Sequence, residues 1–375
     1  MAENSMKKRR KRRFILFAAV IAAISFFSYG RGIGVNADGF DSEINDSETV
    51  GKNLGVQARA ACVIELSSRR VLFEKDGESK LPMASTTKIA TALTALDELT
   101  KNGEKSRLDE KFVVPAASCG VEGSSVYLKE GDETTARELL YGLMLRSGND
   151  CAIALALRVS GSVKKFAEKM NETAKRAGAL NTKFKNPHGL PEKGHYTTAR
   201  DLSLITALAL ENETFAKIVS TRTYEPKRWT NKNKMLSEYE GAIGVKTGFT
   251  KQAGRCLVSA AKRNGMVLIC TVLNCSDTYG ESKKLLDDAF SAYDFSLLQA
   301  AENPVPLDTK DGKICATTEK DLRYPLLSAE QQHIKKTVIA FDSPLKDKNG
   351  REICGQLRIY LLNSLLFSEN LYKIE

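Results

Sequence analysis

The sequence predicts an α+β fold, an antiparallel sheet flanked by helices with a helical subdomain, followed by a small C-terminal all-β domain. Three observations carry this expectation. Strand-like apolar runs stand near the start and the end of the segment 57–300, and runs at helical spacing fill its middle. After Asn303-Pro304 the texture changes to short alternating runs separated by Gly, Asp, Asn and Pro. The 375 residues suit one large and one smaller domain, and 42% hydrophobic with 27% charged residues is an ordinary globular mixture.

The elements follow in order. Residues 60–65 and 70–73 read as a hairpin turning near Ser67-Ser68. The next run, Ser85 to Leu96, is rich in Ala and Leu at helical spacing; Pro82 cannot lie inside a helix, so the helix begins close to Ser85. Further helices are expected over 135–145, 150–159 and 163–177, with Ser147-Gly148-Asn149 breaking the first two. Asn186-Pro187-His188-Gly189-Leu190 is turn chemistry. Thr198, with Asp201 three residues on, reads as a capping box opening a helix over 202–210. Strands are expected over 241–249, 255–262 and 266–274, the last two joined through the hairpin signal Asn264-Gly265. A closing helix is expected over 283–298. Within the domain 303–375, 337–341 and 356–361 alternate as strands do.

The net charge of +10 is concentrated at the start. The first 37 residues carry eight Lys and Arg against Glu3, a net +7, which leaves +3 for the rest. A body so near neutrality argues against nucleic-acid binding. The basic block precedes an uncharged apolar run, 14–29, the layout of an export signal, and Val35-Asn36-Ala37 offers small residues for cleavage. Residues 1–37 are thus a signal peptide or an N-terminal anchor, 38–56 an acidic linker, and the body is exported. Attachment to a membrane would depend on the N-terminal segment, if uncleaved. All eight cysteines lie in the exported part. None shows metal-site spacing, so no metal is expected; several sit in apolar runs, which favours buried free thiols over disulfides.

Three short motifs carry the chemistry: Ser85-Thr86-Thr87-Lys88, Ser147-Gly148-Asn149 and Lys246-Thr247-Gly248. In the first, serine and lysine share one helical face. A serine hydroxyl needs a base to become a nucleophile, and a neutral lysine serves if burial and neighbouring positive charge lower its pKa. At a helix start the Ser85 N–H is free to face an oxyanion. Each motif alone has a plain reading: a cap with a solvated lysine, an interhelix turn, a strand end. Their order and their fit to a helix start, a loop and a strand raise them above that.

On these motifs, with their contexts Pro82-Met83-Ala84, Asp150, Asn186-Pro187-His188-Gly189-Leu190 and Phe249-Thr250, the chain resembles the D-alanyl-D-alanine carboxypeptidases, low-molecular-weight penicillin-binding proteins of the serine peptidase type. The resemblance covers roughly residues 60–298, and the domain after Asn303 is similar to the family's β-rich C-terminal domain. It implies a β-lactamase/transpeptidase-like fold with no cofactor. It implies a peptidoglycan pentapeptide substrate ending in D-Ala-D-Ala, and β-lactam inhibitors. By the same resemblance Ser85 is the nucleophile, Lys88 its base, and Ser147 a proton relay. Asn149 binds a substrate amide, Lys246 and Thr247 hold the terminal carboxylate and depress the Lys88 pKa, and the N–H groups of Ser85 and Phe249 form the oxyanion hole. Gly248 is expected to let a substrate backbone approach the strand edge.

Some relatives have His after the third motif where this chain has Phe249; a backbone donor suffices there. A class A β-lactamase would need an E-x-x-L-N stretch between Ser147 and Lys246, and none occurs. The remaining rival is a penicillin-binding receptor that does not hydrolyse. His188 and His195 are expected to be structural hydrogen-bond donors rather than members of a Ser-His-Asp triad.

Overall fold

The computed structural model describes residues 55–101, 105–310 and 312–374. The predicted export segment and most of the linker lie outside the described residues. Among the described residues, no helix is long and apolar enough to cross a membrane.

The hairpin Ala60–Glu65 (β1) and Val71–Lys75 (β2) opens the fold. Its partners come from far along the chain: Ala242–Thr250 (β3), Gly254–Arg263 (β4) and Met266–Leu273 (β5). They form one antiparallel sheet in the order β2-β1-β5-β4-β3, which leaves β3 at an edge. The β4–β5 turn has Asn264 at φ 48° and Gly265 at φ 84°, the two positive values a tight primed hairpin turn demands.

Alternation sorts the strands between two cores. Cys62, Ile64, Val258, Ala260 and Ile269 face the helical subdomain, whereas Ala61, Val63, Leu257, Leu268 and Val272 face the closing helix. The central helix, Lys88–Leu99 (α1), is buried nearly all round, as a helix with apolar residues on every side must be. Its polar side chains are matched: the Thr91 hydroxyl donates to the Pro187 carbonyl at 2.6 Å, and that of Thr94 to the Thr173 hydroxyl at 3.1 Å. Around α1 stand Ala136–Tyr141 (α2), Asn149–Ser160 (α3), Val163–Arg176 (α4), Ala199–Leu210 (α5) and Glu213–Ser220 (α6). The Thr198 hydroxyl caps α5 by accepting from Asp201 N at 3.0 Å. The expected reciprocal bond is absent, because the Asp201 carboxylate instead accepts from Asn181 N and the Thr182 hydroxyl, both at 2.7 Å.

One element differs from the sequence expectation. The closing helix spans Thr278–Ala292 (α7), not 283–298, and Tyr293–Gln299 is a strand (β6). The chain straightens because a strand partner is at hand. Beyond β6 come Val305–Thr309 (β7), Gly312–Thr317 (β8) and Leu322–Leu327 (β9), and β6 pairs antiparallel with β9. Ile334–Lys346 (β10), Glu352–Leu361 (β11) and Ser364–Lys373 (β12) complete a second sheet in the order β7-β8-β12-β11-β10, with a core of its own around Leu307, Ala316, Leu357, Ile359 and Leu371.

Arg70, just before β2, ties this region to the first sheet. It donates to the Pro325 carbonyl at 2.6 Å, pairs with both Glu330 oxygens, and lies over the rings of Tyr293 and Tyr324. All eight cysteines are free; six are buried, Cys119 is half-buried and Cys315 exposed.

Candidate active site

The site begins where Pro82 halts the chain. Ala84–Thr87 make a single 3-10 turn, and α1 continues from Lys88. Ala84 has φ 50°, a left-handed conformation that costs a non-glycine residue about 1 kcal/mol. Two things hold it. The Thr87 hydroxyl donates to the Ala84 carbonyl at 2.8 Å, and Gly189, at φ 89°, packs so closely that a Cβ there would lie 1.9 Å from the Ala84 oxygen.

His195 finishes this support. Its Nδ1 accepts from Lys185 N at 3.1 Å, so its Nε2 carries the proton and donates to the Thr87 hydroxyl at 2.9 Å. Burial holds His195 down to about 4, which keeps the ring neutral. The His188 Nδ1 accepts from Leu190 N at 3.1 Å. At Nδ1 both histidines therefore accept rather than donate, because each faces a backbone N–H. Neither ring is paired with Ser85.

The turn and α1 set the reacting pair. Lys88 has no exposed surface, and its Nζ lies 2.9 Å from the Ser85 hydroxyl, 2.7 Å from Asn149 Oδ1 and 2.6 Å from the His188 carbonyl. Burial lowers its pKa well below that of an ordinary lysine, the charge of Lys246 adds to this, and Lys232 contributes further. An ammonium donates three hydrogen bonds. Without one proton, the amine keeps N–H bonds to Asn149 and His188 and turns its lone pair to the Ser85 hydroxyl.

The second motif arrives through an irregular turn. After α2 the chain makes a π turn, Gly142–Arg146, and Ser147 leaves it at φ 66°. Ser147 is buried, at 5% exposure, and α3 begins at Asn149. Asn149 Nδ2 donates to the Glu122 carbonyl and Asn149 N to the Ser124 carbonyl at 2.7 Å. The Asn149 amide was expected to meet substrate; here its oxygen holds Lys88 and its nitrogen the 122–124 loop.

The third motif lies on edge strand β3. Lys246 is buried, its amine donates to the Thr247 carbonyl at 2.9 Å, and burial followed by Lys232 holds its pKa down to about 7. Thr247 is half-buried and Phe249 is 62% exposed, with the Arg255 guanidinium 5.7 Å from its ring centre. A Cβ on Gly248 would stand 3.0 Å from Ser85 N and 3.1 Å from Met83 O. Gly248 thus also lets the protein's own 3-10 turn approach the strand closely.

Sequence reasoning missed three contributors. The His188 carbonyl is a backbone acceptor and leaves no side-chain signature. Gly189 was visible only as a turn residue. Lys232 lowers both other lysines and reaches the Ser124 hydroxyl at 3.3 Å; its place in Asn231-Lys232-Asn233-Lys234 gave no sign of a cleft.

The sequence model of the D-alanyl-D-alanine carboxypeptidases matches residues 47–277. The chain is 36% identical over 273 residues to D-alanyl-D-alanine carboxypeptidase DacF of Bacillus subtilis, covering 69% of each chain. It is 35% identical over 252 residues to D-alanyl-D-alanine carboxypeptidase DacC of Escherichia coli, covering 64% of this chain and 62% of the relative. Penicillin binding protein 5 from Haemophilus influenzae has a similar structure, with a TM-score of 0.70 at 26% identity over 85% of this chain and 97% of that one. The contacts of Asn149 with Lys88 and of Gly248 with Ser85 and these likenesses agree: this chain belongs to the D-alanyl-D-alanine carboxypeptidase family of serine peptidases.

Proposed function

We propose that this enzyme removes the terminal D-alanine of peptidoglycan stem peptides outside the cytoplasm, through an acyl-enzyme on Ser85, and that β-lactams acylate the same serine. The observation that carries the proposal is the buried Lys88 amine, 2.9 Å from the Ser85 hydroxyl and held by two further acceptors. Its depressed pKa favours the neutral amine that a base must be.

In this mechanism Lys88 takes the Ser85 proton as the oxygen attacks the penultimate D-alanine carbonyl. The N–H groups of Ser85 and Phe249 receive the oxyanion. Lys246 and Thr247 dock the terminal carboxylate. Ser147 passes a proton to the leaving D-alanine nitrogen, and water then hydrolyses the ester. Asn149 acts chiefly as a positioning residue that aims the Lys88 lone pair.

The test is release of D-alanine from a peptide ending in D-Ala-D-Ala, with mass spectrometry of the penicillin adduct. The expected adduct sits on Ser85, and Ser85→Ala abolishes both reactions. An adduct on another residue, or full activity in Ser85→Ala, overturns the mechanism. Penicillin binding without any D-alanine release would favour a receptor.

A further inference from the structure

We propose that Tyr127 recognises the part of the substrate upstream of D-Ala-D-Ala and so sets a preference for long peptides over short ones. This rests on the carboxypeptidase reading above and extends its site. Tyr127 is 85% exposed and stands at φ 64°. Both features are costly: a large aromatic ring is left in water, and a bulky non-glycine residue is held left-handed.

The loop around it is rigid. Val126 N and Leu128 N both donate to Asp150 Oδ2, at 3.0 Å and 3.2 Å, and the Ser125 hydroxyl donates to the same oxygen at 2.5 Å. Tyr127 N donates to the Ser125 hydroxyl at 2.8 Å, and Val126 and Leu128 pack on the main core. Anchored on both sides, Tyr127 is turned outward by its own backbone. Strain held this firmly belongs to sites where a side chain must be presented.

The loop is also tied to the reacting groups. Three residues before Tyr127, Ser124 accepts from Asn149 N through its carbonyl and from Lys232 Nζ through its hydroxyl, and Asp150 follows the asparagine that holds Lys88. The leaving D-alanine is one residue long and ends at Lys246. Everything else in the substrate extends beyond these groups, where a fixed tyrosine face can stack on it.

The experiment compares kcat/KM for N-acetyl-D-Ala-D-Ala with that for L-Ala-γ-D-Glu-L-Lys-D-Ala-D-Ala. In Tyr127→Ala the long-to-short ratio is expected to fall about five- to tenfold, the worth of one aromatic contact, and to fall through KM. Tyr127→Asn, which tolerates the left-handed backbone, should give the same fall, and Tyr127→Phe should restore the ratio. An unchanged ratio in Ala and Asn, or an equal loss on both substrates, overturns the proposal. Absence of D-alanine release from either substrate by the unmodified enzyme is a separate result and overturns the underlying function.

Discussion

Gly189 lies against the carbonyl of Ala84, 105 positions earlier in the chain, with no room for even one carbon between them. That contact holds the strained residue preceding Ser85 and presents the His188 carbonyl to Lys88. Gly189→Ala would put a Cβ 1.9 Å from a backbone oxygen and strain φ 89°. Overpacking and left-handed strain together are expected to cost about 3 kcal/mol, measured by urea unfolding, and penicillin acylation should slow with it.

Lys88→Arg should be nearly inactive. A guanidinium stays protonated and cannot take the serine proton. Its planar fork also cannot reproduce three acceptors converging on one nitrogen in a slot with no exposed surface. Acylation by penicillin, followed by stopped flow, should fall by about a thousandfold or more; acylation near the normal rate would remove lysine as the base.

The free-enzyme pH profile should be bell-shaped. Lys88 must be neutral to act, so acylation rises as pH climbs through its lowered pKa. Lys246 must be charged to hold a carboxylate, and with its pKa at about 7 it loses that charge as pH rises further. Lys246→Arg keeps the charge at every pH, so the falling limb of kcat/KM should vanish, whatever the change in its height. A falling limb that persists in this variant assigns it to another group.

Asn149→Asp tests the positioning role. A carboxylate 2.7 Å from Nζ favours the charged ammonium and raises the Lys88 pKa. The rising limb should move to higher pH by about one to three units. Asn149→Ala should lower the rate without that displacement, and identical profiles for the two variants would argue against the contact.

Arg70→Ala addresses the junction between the first sheet and the β6–β9 pair. Arg70 and Glu330 are 14% and 11% exposed, so removing the guanidinium leaves a nearly buried carboxylate with the Leu327 N–H as its remaining donor. The loss is expected to be about 3 kcal/mol in thermal unfolding. Glu330→Gln, which leaves Arg70 without its counter-charge, should be destabilised as well.

The strand and helix periods were readable because they depend on neighbours along the chain. So were the shared face of Ser85 and Lys88, the Pro82 stop and the Asn264-Gly265 turn. The error at 293–298 shows the limit of such reading. Tyr293, Phe295 and Leu297 alternate as a strand requires, yet Tyr293 and Leu297, four residues apart, also continue the apolar face of α7. Only the partner strand at 322–327 decides between the two, since a strand gains its ladder from elsewhere in the chain.

The site divides the same way. The sequence by itself determined which groups could react, because serine, lysine and asparagine side chains carry their chemistry wherever they stand. Tertiary structure alone decided that Asn149 and the carbonyl of His188 converge on Lys88, that Gly248 makes room for the 3-10 turn, and that Lys232 completes the positive field. A backbone carbonyl is the same in every residue, and a pKa is set by burial and by distant charge. Neither is written in the residue types nearby; both exist only once the chain has folded around them.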